Sequence, residues 1–227
     1  MRDVHCHILP GVDDGSRSMD ESLEMIRAAM RVGITRMTCT PHCRDPWFDY
    51  EKMWDAFHDL EVAIKRARIS MPPKLSMGFE VNYKKLMELG EEWIEFLACE
   101  TGDFLLEFPT KTLPSDWERI VYTIQSKGYS VIIAHPERYC FVQSDIEQVR
   151  RFIRAGCKIQ VSADFCSEGK FSPIKKTAKA LLSENLVNFI ASDAHNPAAY
   201  EFLWSARKEY SKRFHFYSRA WGAHARL

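Results

Sequence analysis

Short apolar runs alternate along the chain with longer stretches whose apolar residues recur at helical spacing. Asp3-Val4-His5-Cys6 predicts a first strand. Met19 to Val32 predicts a helix with Leu23, Ile26, Ala29 and Met30 on one face, and Gly33 suits its stop. Further strands are predicted at Arg36–Cys39, Leu75–Phe79, Phe104–Leu106, Ser130–Ala134, Lys158–Val161 and Val187–Ala191. Between and after them the spacing predicts helices at Tyr50–Arg68, Lys84–Ala98, Pro114–Lys127, Asp145–Ala155, Pro173–Leu182 and Ala198–Tyr210.

That pattern is seven βα units with no linker or low-complexity stretch. Such alternation implies parallel strands joined by right-handed crossovers. A (β/α) TIM-like barrel with its active site at the strand C-termini is the expected α/β architecture, and an open doubly wound sheet is the alternative. The barrel is preferred because polar residues with ligand chemistry follow at least five of the seven strands, whereas an open sheet concentrates its site at one switch point.

The 227 residues are 46% apolar, enough for a sizeable core, and Lys plus Arg equals Asp plus Glu at 31 each. Zero net charge argues against a nucleic-acid binder, which would carry a basic excess. Seven cysteines, no CxxC pair and no signal peptide ahead of the first strand point to reduced thiols and a cytoplasmic protein. No stretch approaches the roughly 20 apolar residues of a membrane span.

The candidate chemistry gathers at the ends of the predicted strands. His5 and His7, two apart, share one face of the first strand. His42 follows Thr40-Pro41, Glu80 and Glu107 each close an apolar run, His135 follows Ser-Val-Ile-Ile-Ala, and Asp193 and His195 repeat the two-apart spacing. Each has an ordinary reading, as a surface histidine or a salt-bridged carboxylate. A fold that gathers strand ends would instead make them a ligand set for divalent metal, suited to phosphate-ester hydrolysis. Asp13 and Asp14 are turn residues or orient the ligands, and Arg138 holds a phosphate or pairs with Glu137 or another acid. No cysteine has an arginine six residues on, and no GxxxxGK[ST] or GxGxxG occurs, so thiol-phosphatase and nucleotide-fold readings lack their motifs.

The run His5-Cys6-His7-Ile8-Leu9-Pro10-Gly11-Val12-Asp13-Asp14-Gly15 resembles the opening of the bacterial PHP-domain (polymerase and histidinol phosphatase) protein-tyrosine phosphatases. Glu21–Met25, Cys39-Thr40-Pro41-His42, Leu106-Glu107-Phe108-Pro109, Ile133–Tyr139 and Ala191–Asn196 continue the resemblance in order. It implies a distorted seven-unit PHP barrel over about residues 1–212 of a single domain, with an atypical segment at 213–227. It further implies a cytoplasmic metal-dependent phosphatase of capsule or exopolysaccharide loci, acting on the phosphotyrosine tail of a bacterial tyrosine kinase. Up to three divalent ions are implied, manganese first, with iron, zinc or magnesium as alternatives. By position, His5, His7, His42, Glu80, Glu107, His135, Asp193 and His195 become the ligands. Arg138 binds phosphate, Asp14 orients ligands or handles protons, and His42 counts among the catalytic residues as well.

The chain departs from the resembled pattern in specific places. No arginine follows the Ser-Asp-x-His-Asn motif before Arg207, Asn82 stands where Glu-[IV]-Arg is frequent, and Cys43 replaces a second histidine. The rival activities are hydrolysis of histidinol phosphate or another small phosphoester, and metal-stabilised binding of a kinase without turnover.

Overall fold

The computed structural model describes residues 1–210; the segment 213–227 singled out above lies outside the described residues. The described residues hold nine strands, with helices after all but β2 and β4: β1 (Arg2–Cys6), β2 (Arg36–Cys39), β3 (His42–Cys43), β4 (Lys74–Met77), β5 (Glu80–Asn82), β6 (Asp103–Glu107), β7 (Ser130–Ile133), β8 (Lys158–Ser162) and β9 (Phe189–Ala191). Every pairing is parallel. The ladders run β1-β2-β4 and β3-β5-β6-β7-β8-β9.

The two ladders are pieces of one curled sheet. Cys39 pairs with Met77, and beyond the interruption His42 pairs with Glu80 in the same register. The interruption follows from Pro41, which has no N–H to give a ladder. Gly78 N to Cys39 O (3.0 Å) and Glu80 N to Pro41 O (3.1 Å) carry the contact across. At the other side β1 meets the chain just past β9: His7 N donates to Ala194 O and Asp193 N donates to His5 O, both at 2.9 Å. First and last strands thus touch, as in a TIM-like fold and unlike the free edges of an open doubly wound sheet.

The predicted elements appear nearly where the pattern put them, and the differences have local causes. The third strand splits into β4 and β5 around Gly78, where an added Cβ would fall 2.4 Å from Cys99 Sγ. The helix expected over 84–98 breaks at Gly90, whose φ of +98° no helix accepts. The helix expected from Pro114 begins at Trp117, and a separate turn of helix, Cys140–Ser144, precedes Glu147–Arg154.

Helices cover the outside of the sheet through the main apolar core. A smaller cluster of Leu105, Ile132 and Ala134, backed by Phe189, lies apart from that core. On β6 the alternation puts Asp103, Leu105 and Glu107 on one face, so a buried strand begins and ends with carboxylates. No helix among the described residues is long and apolar enough to cross a membrane.

Candidate metal centre

Seven of the eight expected ligands, with Asp14, form three overlapping donor groups. They are His7, Asp14, His42 and His195; His5, His7 and Asp193; and His5, Glu80 and His135. Within each group one ligand atom per residue lies within 4.8 Å of the others. His5 and His7, side by side at the end of β1, each belong to two groups and knit the three together.

The histidines are held in a ligand orientation. His7 Nδ1 is 2.9 Å from Asp13 Oδ2, His5 Nδ1 is 3.2 Å from Gln160 Oε1, and His195 Nδ1 is 2.9 Å from the Asp193 carbonyl oxygen. With the proton on Nδ1, each ring presents its Nε2 lone pair to the centre. The inward nitrogens then crowd: His5 Nε2 and His7 Nε2 are 3.0 Å apart, a gap that one proton at most can bridge.

Asp13 does more than orient His7. Its Oδ1 accepts from Gly15 N (3.0 Å) and its Oδ2 from His42 N (3.1 Å), so one carboxylate ties the loop after β1 to β3. Gly15 is required there, because a Cβ would stand 2.1 Å from His7 O. Two of the expected ligands sit on left-handed backbone, His135 at φ +31° and Asp193 at φ +48°. Such conformations cost about 1–3 kcal/mol each and persist where the surroundings enforce them.

The electrostatics are those of carboxylates meeting imidazoles out of water. Burial pushes Glu80 and Asp193 up, but His5 and its neighbours outweigh it and hold both well below the carboxylate range. Burial likewise pushes His5 down, while Asp193 and Glu80 raise it to about 9. The His42 bond holds Asp14 at about 2, so that half-exposed group is a carboxylate at neutral pH. Burial raises Glu137 to about 7; it pairs with Ser162 N at 2.8 Å rather than with Arg138.

The centre fits divalent ions on its own geometry. His42 Nδ1 and Glu80 Oε2 are 2.6 Å apart, yet neither makes an aligned hydrogen bond, and His135 Nδ1 has no partner either. Buried, unsatisfied lone pairs on imidazoles and carboxylates are costly unless a cation takes them. The donors are nitrogen and oxygen, suited to manganese, iron or zinc, and no cysteine belongs to the three groups.

Glu107 joins none of the groups. Its Oε2 accepts from Asn82 Nδ2 at 2.9 Å, and its Oε1 lies 3.5 Å from Arg44 Nη1. Arg138 reaches the centre from a turn after β7, with Nη2 donating to Asp193 Oδ2 (2.6 Å) and Asp164 Oδ2 (2.8 Å). Sequence reasoning passed over Gln160, Asp164 and Arg44. Gln160 left a legible trace, as an uncharged polar residue inside an apolar run; Asp164 and Arg44 left none, being loop charges like many others.

The model of the capsular polysaccharide synthesis CpsB/CapC family matches residues 1–203. The tyrosine-protein phosphatase YwqE of Bacillus subtilis (strain 168) is 32% identical over 199 residues, covering 86% of this chain and 78% of that protein. The tyrosine-protein phosphatase CpsB of Streptococcus pneumoniae is 30% identical over 203 residues, covering 86% and 83%. A solved structure of YwqE and CpsB from those species, described as unique metal-dependent tyrosine phosphatases, aligns at TM-score 0.79 with 29% identity, over 92% of this chain and 87% of that one.

Proposed function

This chain belongs to the capsular polysaccharide synthesis CpsB/CapC family, and from that premise we propose how its centre hydrolyses phosphotyrosine. It is a metal-dependent protein-tyrosine phosphatase. One observation carries the reading for this chain's own residues: three donor groups sharing His5 and His7, with Arg138 hydrogen-bonded to a member of one.

His5, His7, His42, Glu80, Glu107, His135, Asp193 and His195 hold up to three divalent ions, manganese first. Those ions, when bound, supply a nucleophilic water at neutral pH and neutralise phosphate charge. Arg138 binds the phosphate. Its two acid contacts occupy Nη2, and a guanidinium has five N–H donors in all. Asp14, an ionised carboxylate with Oδ1 3.0 Å from His42 Nε2, orients that ligand or handles protons at the mouth of the site. Tyrosine, with a pKa of about 10, leaves with little acid help. Asp13 and Gln160 fix the tautomers of His7 and His5.

The substrate of this reading is the tyrosine-phosphorylated tail of a bacterial tyrosine kinase in the cytoplasm, and the fold is the seven-unit PHP barrel in one domain. The test is hydrolysis of a phosphotyrosyl peptide and of histidinol phosphate by chelator-stripped protein, with and without manganese, beside His135→Ala. Manganese-dependent turnover of the peptide, lost in the variant, is expected. Turnover of histidinol phosphate alone would move the substrate to the small phosphoesters.

A further inference from the structure

We infer that Arg44 is a second phosphate-binding residue of this site and that Trp47 beside it is the platform for the substrate's aromatic ring. The inference rests on the phosphatase reading above and names who recognises each half of phosphotyrosine. Arg44 lies two residues past His42, on the loop after β3, with its side chain 31% exposed. Its Nη2 is 2.8 Å from His42 Nε2 and 3.8 Å from Asp14 Oδ2, and its Nη1 is 3.5 Å from Glu107 Oε1.

These contacts leave the guanidinium poorly matched. His42 belongs to a donor group, and a nitrogen lone pair given to a cation is not available to Arg44; Asp14 Oδ2, at 3.8 Å, is beyond hydrogen-bond distance. The remaining acid, Glu107, meets Arg44 only at 3.5 Å, longer than the roughly 2.7–2.9 Å of a direct charge-assisted bond. Arg44 Nε is buried without a partner. A planar fork with unmatched donors, about a third exposed beside the candidate metal centre, is suited to the two oxygens of a phosphoryl group. Arg207, the first arginine after the Ser-Asp-x-His-Asn motif, is out of reach: it donates to Val32 O at 2.7 Å, where the first helix ends.

Trp47 fixes where the ring goes. Arg44 Cζ lies 5.1 Å from the indole centroid, and the indole stacks on His42 at 5.4 Å and 28°. A turn closed by Trp47 N and Phe48 N, both donating to Arg44 O at 3.1 Å, keeps the pair together. The indole, half-buried, therefore borders both a ligand ring and a phosphate-seeking cation. A phosphate on Arg44 carries its aryl group to that indole, where aromatic pairing adds affinity.

The test is calorimetric titration of the manganese-loaded full chain with inorganic phosphate and, separately, with phosphotyrosine supplied as its non-hydrolysable phosphonate analogue. Metal content is measured on each sample. Arg44→Gln is expected to keep its metal and to bind inorganic phosphate at least about tenfold more weakly, with Arg44→Lys restoring part of the loss. Trp47→Leu is expected to weaken phosphotyrosine by about two- to tenfold and to leave inorganic phosphate as it was. Unchanged phosphate affinity in Arg44→Gln overturns the arginine assignment. So does a loss that only tracks lost metal, which would make Arg44 a counter-charge for Asp14 and Glu107. Unchanged phosphotyrosine affinity in Trp47→Leu overturns the platform. Phosphate binding that depends on Arg44, in a protein that hydrolyses no phosphotyrosyl peptide, would sink the phosphatase reading and leave Arg44 as an anion-binding residue.

Discussion

β6 carries a buried carboxylate at each end, and the two ends handle charge in opposite ways. At its start Asp103 is 1% exposed, and both its oxygens accept from cations: Oδ2 from Arg2 (2.8 Å), Oδ1 from Lys158 (3.0 Å). At its finish Glu107 borders a centre where Glu80 and Asp193 face five imidazoles and several buried atoms go unmatched. Burying charge costs several kcal/mol per ion in either place. At the first end the chain supplies its own counter-ions. At the second the carboxylates face imidazoles whose donors suit a divalent ion, and two of those residues, His135 and Asp193, sit on left-handed backbone. The lesson is that the functional end of the strand is marked by buried carboxylates set against imidazoles, and the structural end by a carboxylate set against Arg and Lys.

The largest effects separate the two ends by amide substitution. Glu80→Gln is expected to lose most bound metal and to lower turnover of a phosphotyrosyl peptide by about a thousandfold, or about 4 kcal/mol of barrier. Asp103→Asn is expected to keep metal content and kcat/KM within about twofold. Its cost is stability, about 2–3 kcal/mol in urea unfolding, below the usual loss for a broken buried pair because Arg2 and Lys158 retain access to water. Metal loss in Asp103→Asn, seen by elemental analysis, would break the contrast.

Metal itself sharpens it next. Manganese at about a hundredfold over its Kd is expected to add about 2.7 kcal/mol to the folded state. Wild type and Asp103→Asn gain that increment in thermal unfolding, and Glu80→Gln gains none. Asp13→Asn sits between, since it removes an orienting group and no ligand. Its manganese affinity, followed by calorimetry, is expected to fall about 10- to 100-fold.

Much of the donor cluster was legible in the sequence because its candidate ligands lie where an apolar run stops. Periodicity located the strands, and polar residues at their ends then read as a set. Asp14 entered a donor group though read chiefly as an accessory, and Asp13 took the orienting role, because adjacent turn residues point different ways and sequence does not say which. The short β3 and β5 were not legible. Two or three residues carry no periodicity, and their pairing depends on Pro41 and Gly78 interrupting longer strands. The Arg2–Asp103–Lys158 cluster also left no signal, since each is the first residue of a strand, where a charge is ordinary.

The shallowest expected effect is the pH dependence of the metal-free protein, spread over several pH units, and it too differs between the ends. Burial pushes His42 down, but Asp14 and Glu80 outweigh it and raise it to about 10, as Asp193 and Glu80 raise His5 to about 9. Both are raised above the unfolded value of about 6.5. Between those values the folded chain keeps protons that the unfolded chain has released. Their contribution to stability is therefore complete below about pH 6.5 and is lost as pH climbs through 9 to 10, at up to about 1.4 kcal/mol per pH unit for each imidazole. Divalent metal competes with the same protons, so its affinity is expected to rise over that window. Asp103→Asn should give a urea stability curve displaced downward and parallel to wild type from pH 6.5 to 9. Glu80→Gln, having lost a carboxylate that raises both histidines, should give a flatter one. Parallel curves for both variants would mean that the imidazoles do not hold their protons through Glu80, and the electrostatic half of the contrast would fail.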